Sequence, residues 1–108
     1  MNFRDKRVAG LIAHELGQLL VKQMEFDGVL VTITDVDVDA KLDNAVTRIA
    51  VLPEEKAAIV LKALNAAQPK LQSLLAKKIH IKPMPRVRFE YDSGAVNAAA
   101  VEKALLNQ

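Results

Sequence analysis

The chain has 108 residues, 51% of them hydrophobic, which is enough to build one domain around its own core without staples. It contains no cysteine, so disulfide frameworks, thiolate metal sites and cysteine nucleophiles are excluded, and its apolar runs fall far short of the roughly 20 residues that cross a bilayer. A formal net charge of +2 hides an asymmetry, with six Lys/Arg against eight Asp/Glu in residues 1–52 and nine against five in residues 53–108.

The opening Met1-Asn2-Phe3-Arg4-Asp5-Lys6-Arg7 lacks the apolar run of a secretory signal, and a cytoplasmic location is expected. Val8, Leu11, Ile12, Leu16, Leu19 and Leu20 then recur at spacings of three and four, which predicts an amphipathic helix over about residues 4–24. Asp27-Gly28 ends it with a turn. From Val29 the period changes to two. Val29, Val31 and Ile33 alternate with Leu30, Thr32 and Thr34, while Val36 and Val38 continue in the opposite phase. A strand with a bulge near Thr34-Asp35 keeps all the valines on one face. Ala40 to Asn44 form a polar turn and Ala45 to Leu52 a second, antiparallel strand.

Pro53-Glu54-Glu55 reads as a helix start, with proline at the first position and acids at the positive end of the dipole. Ala57, Val60, Leu61 and Leu64 carry its stripe. Pro69 predicts a kink or an end, and a second stripe follows at Leu71, Leu74, Leu75 and Ile79. Pro83 and Pro85 enforce extended backbone, after which Val87, Phe89 and Tyr91 alternate with Arg86, Arg88 and Glu90 in a third strand. Ser93-Gly94 turns the chain toward a short terminal helix over residues 95–106. This is an α+β order in which a hairpin is followed by a helical crossover to a third strand. It predicts a three-stranded mixed sheet packed by helices on one face, with one domain spanning residues 1–108 and its core at about 4–92.

Catalytic constellations fail on inspection. His14-Glu15 resembles the start of a zinc-protease HExxH helix, but the second histidine position is Gln18. Asp35, Asp37, Asp39 and Asp43 suggest a calcium loop, but its sixth and twelfth positions are Ala40 and Val46 instead of glycine and glutamate. Alternation explains the acids as the wet face of a strand. Neither a phosphate-cradling glycine loop nor a nucleophile elbow is present. No metal, cofactor or small-molecule substrate is expected, and no catalysis. The remaining signal is electrostatic. No acid stands between Glu55 and Glu90, an interval holding Lys70, Lys77, Lys78, Lys82, Arg86 and Arg88. Such a block attracts polyanions. Aromatics are scarce, and Phe89 and Tyr91 face the core by alternation, so phosphate and shape recognition of folded RNA fits better than base stacking.

Three stretches, in order, give the chain its likeness to a known family. Arg4-Asp5-Lys6-Arg7-Val8 with Ile12-Ala13-His14-Glu15-Leu16 resembles the opening helix of the ribosome-binding factor A family. Val31-Thr32-Ile33-Thr34-Asp35-Val36-Asp37-Val38 with Leu42-Asp43-Asn44-Ala45 resembles its first strand and turn. Pro85-Arg86-Val87-Arg88-Phe89-Glu90-Tyr91-Asp92 resembles its last strand. The resemblance implies a type II KH-like fold of order α-β-β-α-α-β with a short C-terminal helix. It also implies binding to 16S rRNA in the free or immature bacterial 30S subunit, late maturation with 5′-end processing, and a role in cold adaptation. Ordinary KH domains clamp nucleic acid with a GxxG loop. This family has an Ala-x-Gly kink there, and Ala67-Gln68-Pro69 stands in its place, with proline departing from the pattern.

The expected RNA surface is therefore Lys70, Lys77, Lys78, Lys82, Arg86 and Arg88, with Arg4, Lys6 and Arg7 as a second contact. The partners are the small ribosomal subunit and its rRNA, with no membrane, and nothing demands more than a monomer. Two other classes compete: a protein–protein adaptor that uses the sheet edge, and a small nuclease built on the strand acids.

Overall fold

A computed structural model of the chain describes residues 4–94. Its elements are α1 (Arg4–Gln23), β1 (Leu30–Val38), β2 (Asn44–Leu52), a 3-10 turn (Glu54–Lys56), α2 (Ala57–Lys78) and β3 (Arg86–Tyr91). The three strands form one sheet in the order β1-β2-β3, antiparallel between the first two and parallel between the last two. The parallel pairing requires a crossover, and α2 supplies it. The terminal helix expected over 95–106 lies outside the described residues.

The helical periods translate directly into burial. α1 buries Val8, Ile12, Leu16 and Leu19, and α2 buries Val60, Leu64, Leu71 and Leu75. Both stripes pack on the face of the sheet formed by Ala45, Thr47, Ile49 and Val51 of β2 and by Val87 and Phe89 of β3. Among the described residues nothing packs on the other face, which carries Arg48, Arg86, Arg88 and Glu90. The phase change in β1 is resolved as the alternation requires. Ile33 pairs with Ile49 and Asp35 with Arg48, leaving Thr34 as the extra residue of a bulge. Val36 and Val38 are thereby buried while Asp35 and Asp37 stay wet. The Thr34 hydroxyl donates to Asp92 Oδ2 at 2.6 Å, so the bulge also ties β1 to the residue just after β3.

The β1–β2 turn is organised by Asp39. Its Oδ1 accepts the backbone N–H groups of Asp43 (2.7 Å) and Asn44 (3.3 Å), and its Oδ2 accepts from the Asn44 side-chain amide (3.2 Å). Leu42 sits in this turn at φ 60°, a left-handed conformation that costs a non-glycine residue roughly 1–2 kcal/mol. Its side chain is buried, and burying a leucine is worth about 1.5–3 kcal/mol, which offsets the strain.

One expectation is corrected. The two helices predicted around Ala67-Gln68-Pro69 are one helix, α2, which runs through Pro69 and gives the order α-β-β-α-β. Proline in a helix interior costs about 3 kcal/mol, through a missing hydrogen bond and a clash with the carbonyl four residues back. Here the ring lies on the exposed side, and Leu64, Leu71 and Leu75 are buried on both sides of it. Packing of the stripe outweighs the local defect. The helix start is also softer than predicted: Glu54 to Lys56 form a 3-10 turn that leads into α2. No helix among the described residues is long and apolar enough to cross a membrane.

Candidate nucleic-acid interface

β3 is an edge strand, and its backbone shows how the edge is used. Arg86 N–H donates to Asp43 O (2.9 Å) and Asp92 N–H to Ile49 O (2.7 Å), so the even-numbered residues of β3 bond to β2. The N–H and C=O groups of Val87, Phe89 and Tyr91 therefore turn outward. At Val87 two glutamines of α2 meet them. Val87 N–H donates to Gln72 Oε1 (2.9 Å), Gln72 Nε2 donates to Pro85 O (2.9 Å), and Gln68 Nε2 donates to Val87 O (3.1 Å). Gln68 Nε2 also lies 3.1 Å from Gln72 Oε1, which fixes both amides. Gln68 is the middle residue of the Ala67-Gln68-Pro69 segment, so this segment latches the last strand onto the helix.

Past this latch the edge opens into a groove of about 550 Å3, lined by Asn44, Asn65, Gln68, Arg86, Arg88 and Phe89, among others. Pro69 has no N–H, so the carbonyl of Asn65, four residues earlier, lacks its helical donor. The groove thus combines two guanidinium groups, the Glu90 carboxylate, side-chain amides and outward backbone groups of β3. These are donors and acceptors of the kind that read phosphates and exposed base edges.

A charge row crosses the open sheet face beside it. Asp35 and Arg48 are 2.7 Å apart, Arg48 and Glu90 4.0 Å, and Arg88 and Glu90 3.5 Å. Exposed pairs of this kind contribute at most about 1 kcal/mol each. They do, however, offset part of the positive charge that the sequence assigns to Arg88.

The basic residues picked out by sequence do not form one patch. Arg86 and Arg88 lie in the groove. At about 100° per residue, Lys70 points to the side of α2 opposite Gln68 and Gln72, and Lys77 shares that far flank. Lys78 closes the last turn, and Lys82 follows in the loop between α2 and β3. All are exposed. Arg4 meets this end of the molecule: with Lys41, Leu42 and Pro83 it lines a cleft of about 240 Å3. Lys6 and Arg7, exposed on the first turns of α1, are not among its lining residues. The sequence reading missed Lys41, which stands between Asp39 and Asp43 in an acidic stretch. It also missed Asn44, Asn65 and Gln72. Uncharged amides leave no signal in a charge profile; only the spacing of Gln68 and Gln72, one helical turn apart beside Pro69, hinted at a shared face.

His14 Nε2 lies 3.4 Å from the side-chain amide of Gln18, the residue that replaces the second histidine of the zinc motif. Among the described residues, no group of three or more His, Asp or Glu side chains converges to hold a metal ion.

Comparison with known proteins gives a consistent picture. A sequence model described as ribosome-binding factor A matches residues 4–105. Ribosome-binding factor A of Shewanella sp. (strain W3-18-1) is 35% identical over 96 residues, covering 86% of this chain and 64% of the relative. That of Shewanella loihica is 33% identical, with 86% and 69% covered. The chain thus spans a little under two thirds of the length of the first of these relatives. Among solved structures, the ribosome-binding factor A crystal structure from Thermus thermophilus superimposes with a TM-score of 0.68 at 20% identity, over 81% of this chain and 94% of that one. A Thermus thermophilus homology model fitted into the cryo-EM map of a 30S complex gives 0.56 at 24% identity, over 73% and 92%. The two structural likenesses bear on the fold.

Proposed function

The chain belongs to the ribosome-binding factor A family, and from that premise we propose that it binds the free, immature small ribosomal subunit through 16S rRNA. Bound there, it assists late maturation, including processing of the rRNA 5′ end, and catalyses no reaction itself. It acts in the bacterial cytoplasm as a single KH-like RNA-binding domain, and its work matters most in the cold, when misfolded rRNA is slow to rearrange.

The observation that carries this reading beyond family membership is the α2–β3 groove, where Arg86 and Arg88 stand beside the amides of Asn44, Asn65 and Gln68. Arginine and backbone groups position phosphates, and the amides suit unstacked base edges. Lys70, Lys77, Lys78 and Lys82 supply long-range attraction along the flank and end of α2. Arg4, Lys6 and Arg7 form the second contact, which Lys41 joins through the cleft at the start of α1.

The test is co-sedimentation of the purified protein with free small subunits, large subunits and whole ribosomes at low and raised salt. Selective binding to free small subunits that weakens with salt is the expected result. Absence of subunit binding at every salt concentration overturns the proposal.

A further inference from the structure

The opposite edge of the sheet has a different chemistry. Among the described residues β1 pairs with β2 alone, which leaves its outer edge unpaired along nine residues, Leu30–Val38. Long open edges invite pairing, and proteins usually blunt them with bulges, charges or proline. Here those devices occupy only the second half of the strand, as the Thr34 bulge and the exposed Asp35 and Asp37. The first half, Leu30-Val31-Thr32-Ile33, carries none.

Alongside that unprotected half runs a groove of about 440 Å3 between β1 and α1, lined by Gly17, Leu20, Val21, Met24, Phe26 and the Leu30–Ile33 segment, among others. None of these residues is charged. Val21 is 81% exposed and Leu30 60% exposed, although both are large and apolar. A Cβ on Gly17 would meet nothing within 4 Å. Packing among the described residues therefore does not require the bare backbone at this point of α1.

We propose that this edge and groove receive an extended, basic segment of a protein partner, which adds to the sheet as a fourth strand beside β1. Strand addition supplies main-chain hydrogen bonds, and alternate side chains of the segment enter the groove. The charges around it select the occupant. Glu25, Asp27, Asp35, Asp37 and Asp39 are all exposed at or beyond the two ends of the groove, against one exposed cation, Lys22, on the adjoining turn of α1. Asp35 is partly compensated by Arg48. An acidic surround with an apolar floor repels phosphate and draws lysine- or arginine-rich polypeptide. This surface stands apart from the α2–β3 groove and does not depend on the rRNA reading.

The experiment is an NMR titration of the 15N-labelled full chain with a synthetic peptide alternating valine and lysine. The same sequence with glutamate for lysine and a short single-stranded RNA serve as separate probes. The lysine peptide should shift and protect the amides of Leu30–Ile33 and those of α1 near Gly17 and Val21. Val21→Lys or Leu30→Lys, both at exposed positions that leave the fold intact, should weaken it by about tenfold, the scale of losing one apolar anchor. Gly17→Ala should weaken it too while leaving the folded spectrum unchanged. Any of the following overturns the proposal: no binding at millimolar peptide, equal binding of the glutamate peptide, or shifts confined to α2 and β3. So does a β1 response to RNA alone. Contacts from Val96, Val101 or Leu105 to Val21 in the free protein would overturn it in favour of the chain's own tail. Concentration-dependent protection of β1 would overturn it in favour of a second copy.

Discussion

Thr47 is fully buried in the central strand, yet among the described residues its hydroxyl has no hydrogen-bond partner. An unsatisfied buried hydroxyl costs about 1–3 kcal/mol, whereas an apolar group of the same shape costs nothing. Thr47→Val is therefore expected to stabilise the protein by about 1 kcal/mol, read as a higher urea midpoint at unchanged slope. A lower midpoint would mean that the hydroxyl has a partner in solution. Asp39 shows the opposite economy, since every oxygen of its carboxylate is used. The Asp43 N–H is the main cause that holds its carboxyl below the usual carboxylate range, against desolvation and with help from Asn44. A carboxyl with a depressed folded pKa stabilises the fold above its unfolded pKa, and that contribution fades as pH falls through the folded value. Denaturation measured at pH 6 and at pH 3 should show a larger acid loss for the wild type than for Asp39→Asn. Equal losses would remove Asp39 from the acid limb. In Tyr91, burial pushes the phenol up, with the charges of Glu54 and Asp92 acting the same way. That hydroxyl stays protonated until the solution is strongly alkaline.

At the scale of elements, β1 and β3 are both edges, but they are finished differently. β3 is sealed at Val87 by side chains of α2, and the seal can be tested directly. Gln72→Ala strips partners from Val87 N–H and Pro85 C=O together. Two partly buried backbone groups left without partners should cost about 2 kcal/mol, and hydrogen exchange at Val87 should accelerate in step. Unchanged exchange there would show that the latch carries no weight. The strands and the bulge were legible in sequence because period two is rigid: when Val36 and Val38 fell out of phase with Val31 and Ile33, only an extra residue could reconcile them. The continuity of α2 was not legible. Local propensity at Pro69 argued for a kink or an end, and the buried leucines before and after it carry the helix through.

For the whole molecule, the net charge matters less than its placement. Positive groups gather along α2, the loop before β3 and the start of α1, while the strand acids lie toward β1. Charge position in sequence predicted which half would be basic, but it could not show that Lys70 and Arg88 face different ways, because helix phase relative to the sheet is set by tertiary packing. If the two sets serve one rRNA partner, they act by different routes. Lys77→Glu with Lys78→Glu should lower subunit affinity and reduce the salt slope by about two, one per lost phosphate contact. Arg86→Ala should lower affinity with a smaller change in slope, since it removes one phosphate contact and not two. Identical salt slopes for wild type and the double lysine variant would remove that end of α2 from the interface.

The bond between Thr34 and Asp92 joins positions 58 residues apart. With β3 the last of the three strands in sequence and Val87 and Phe89 part of the core, the sheet cannot close on a ribosome until this distant segment has emerged from the exit tunnel. Until then the nascent β1–β2 hairpin leaves Ala45, Thr47 and Ile49 without their parallel neighbour. A factor proposed to act on unfinished ribosomes thus completes its own sheet only after its last strand has left a finished one.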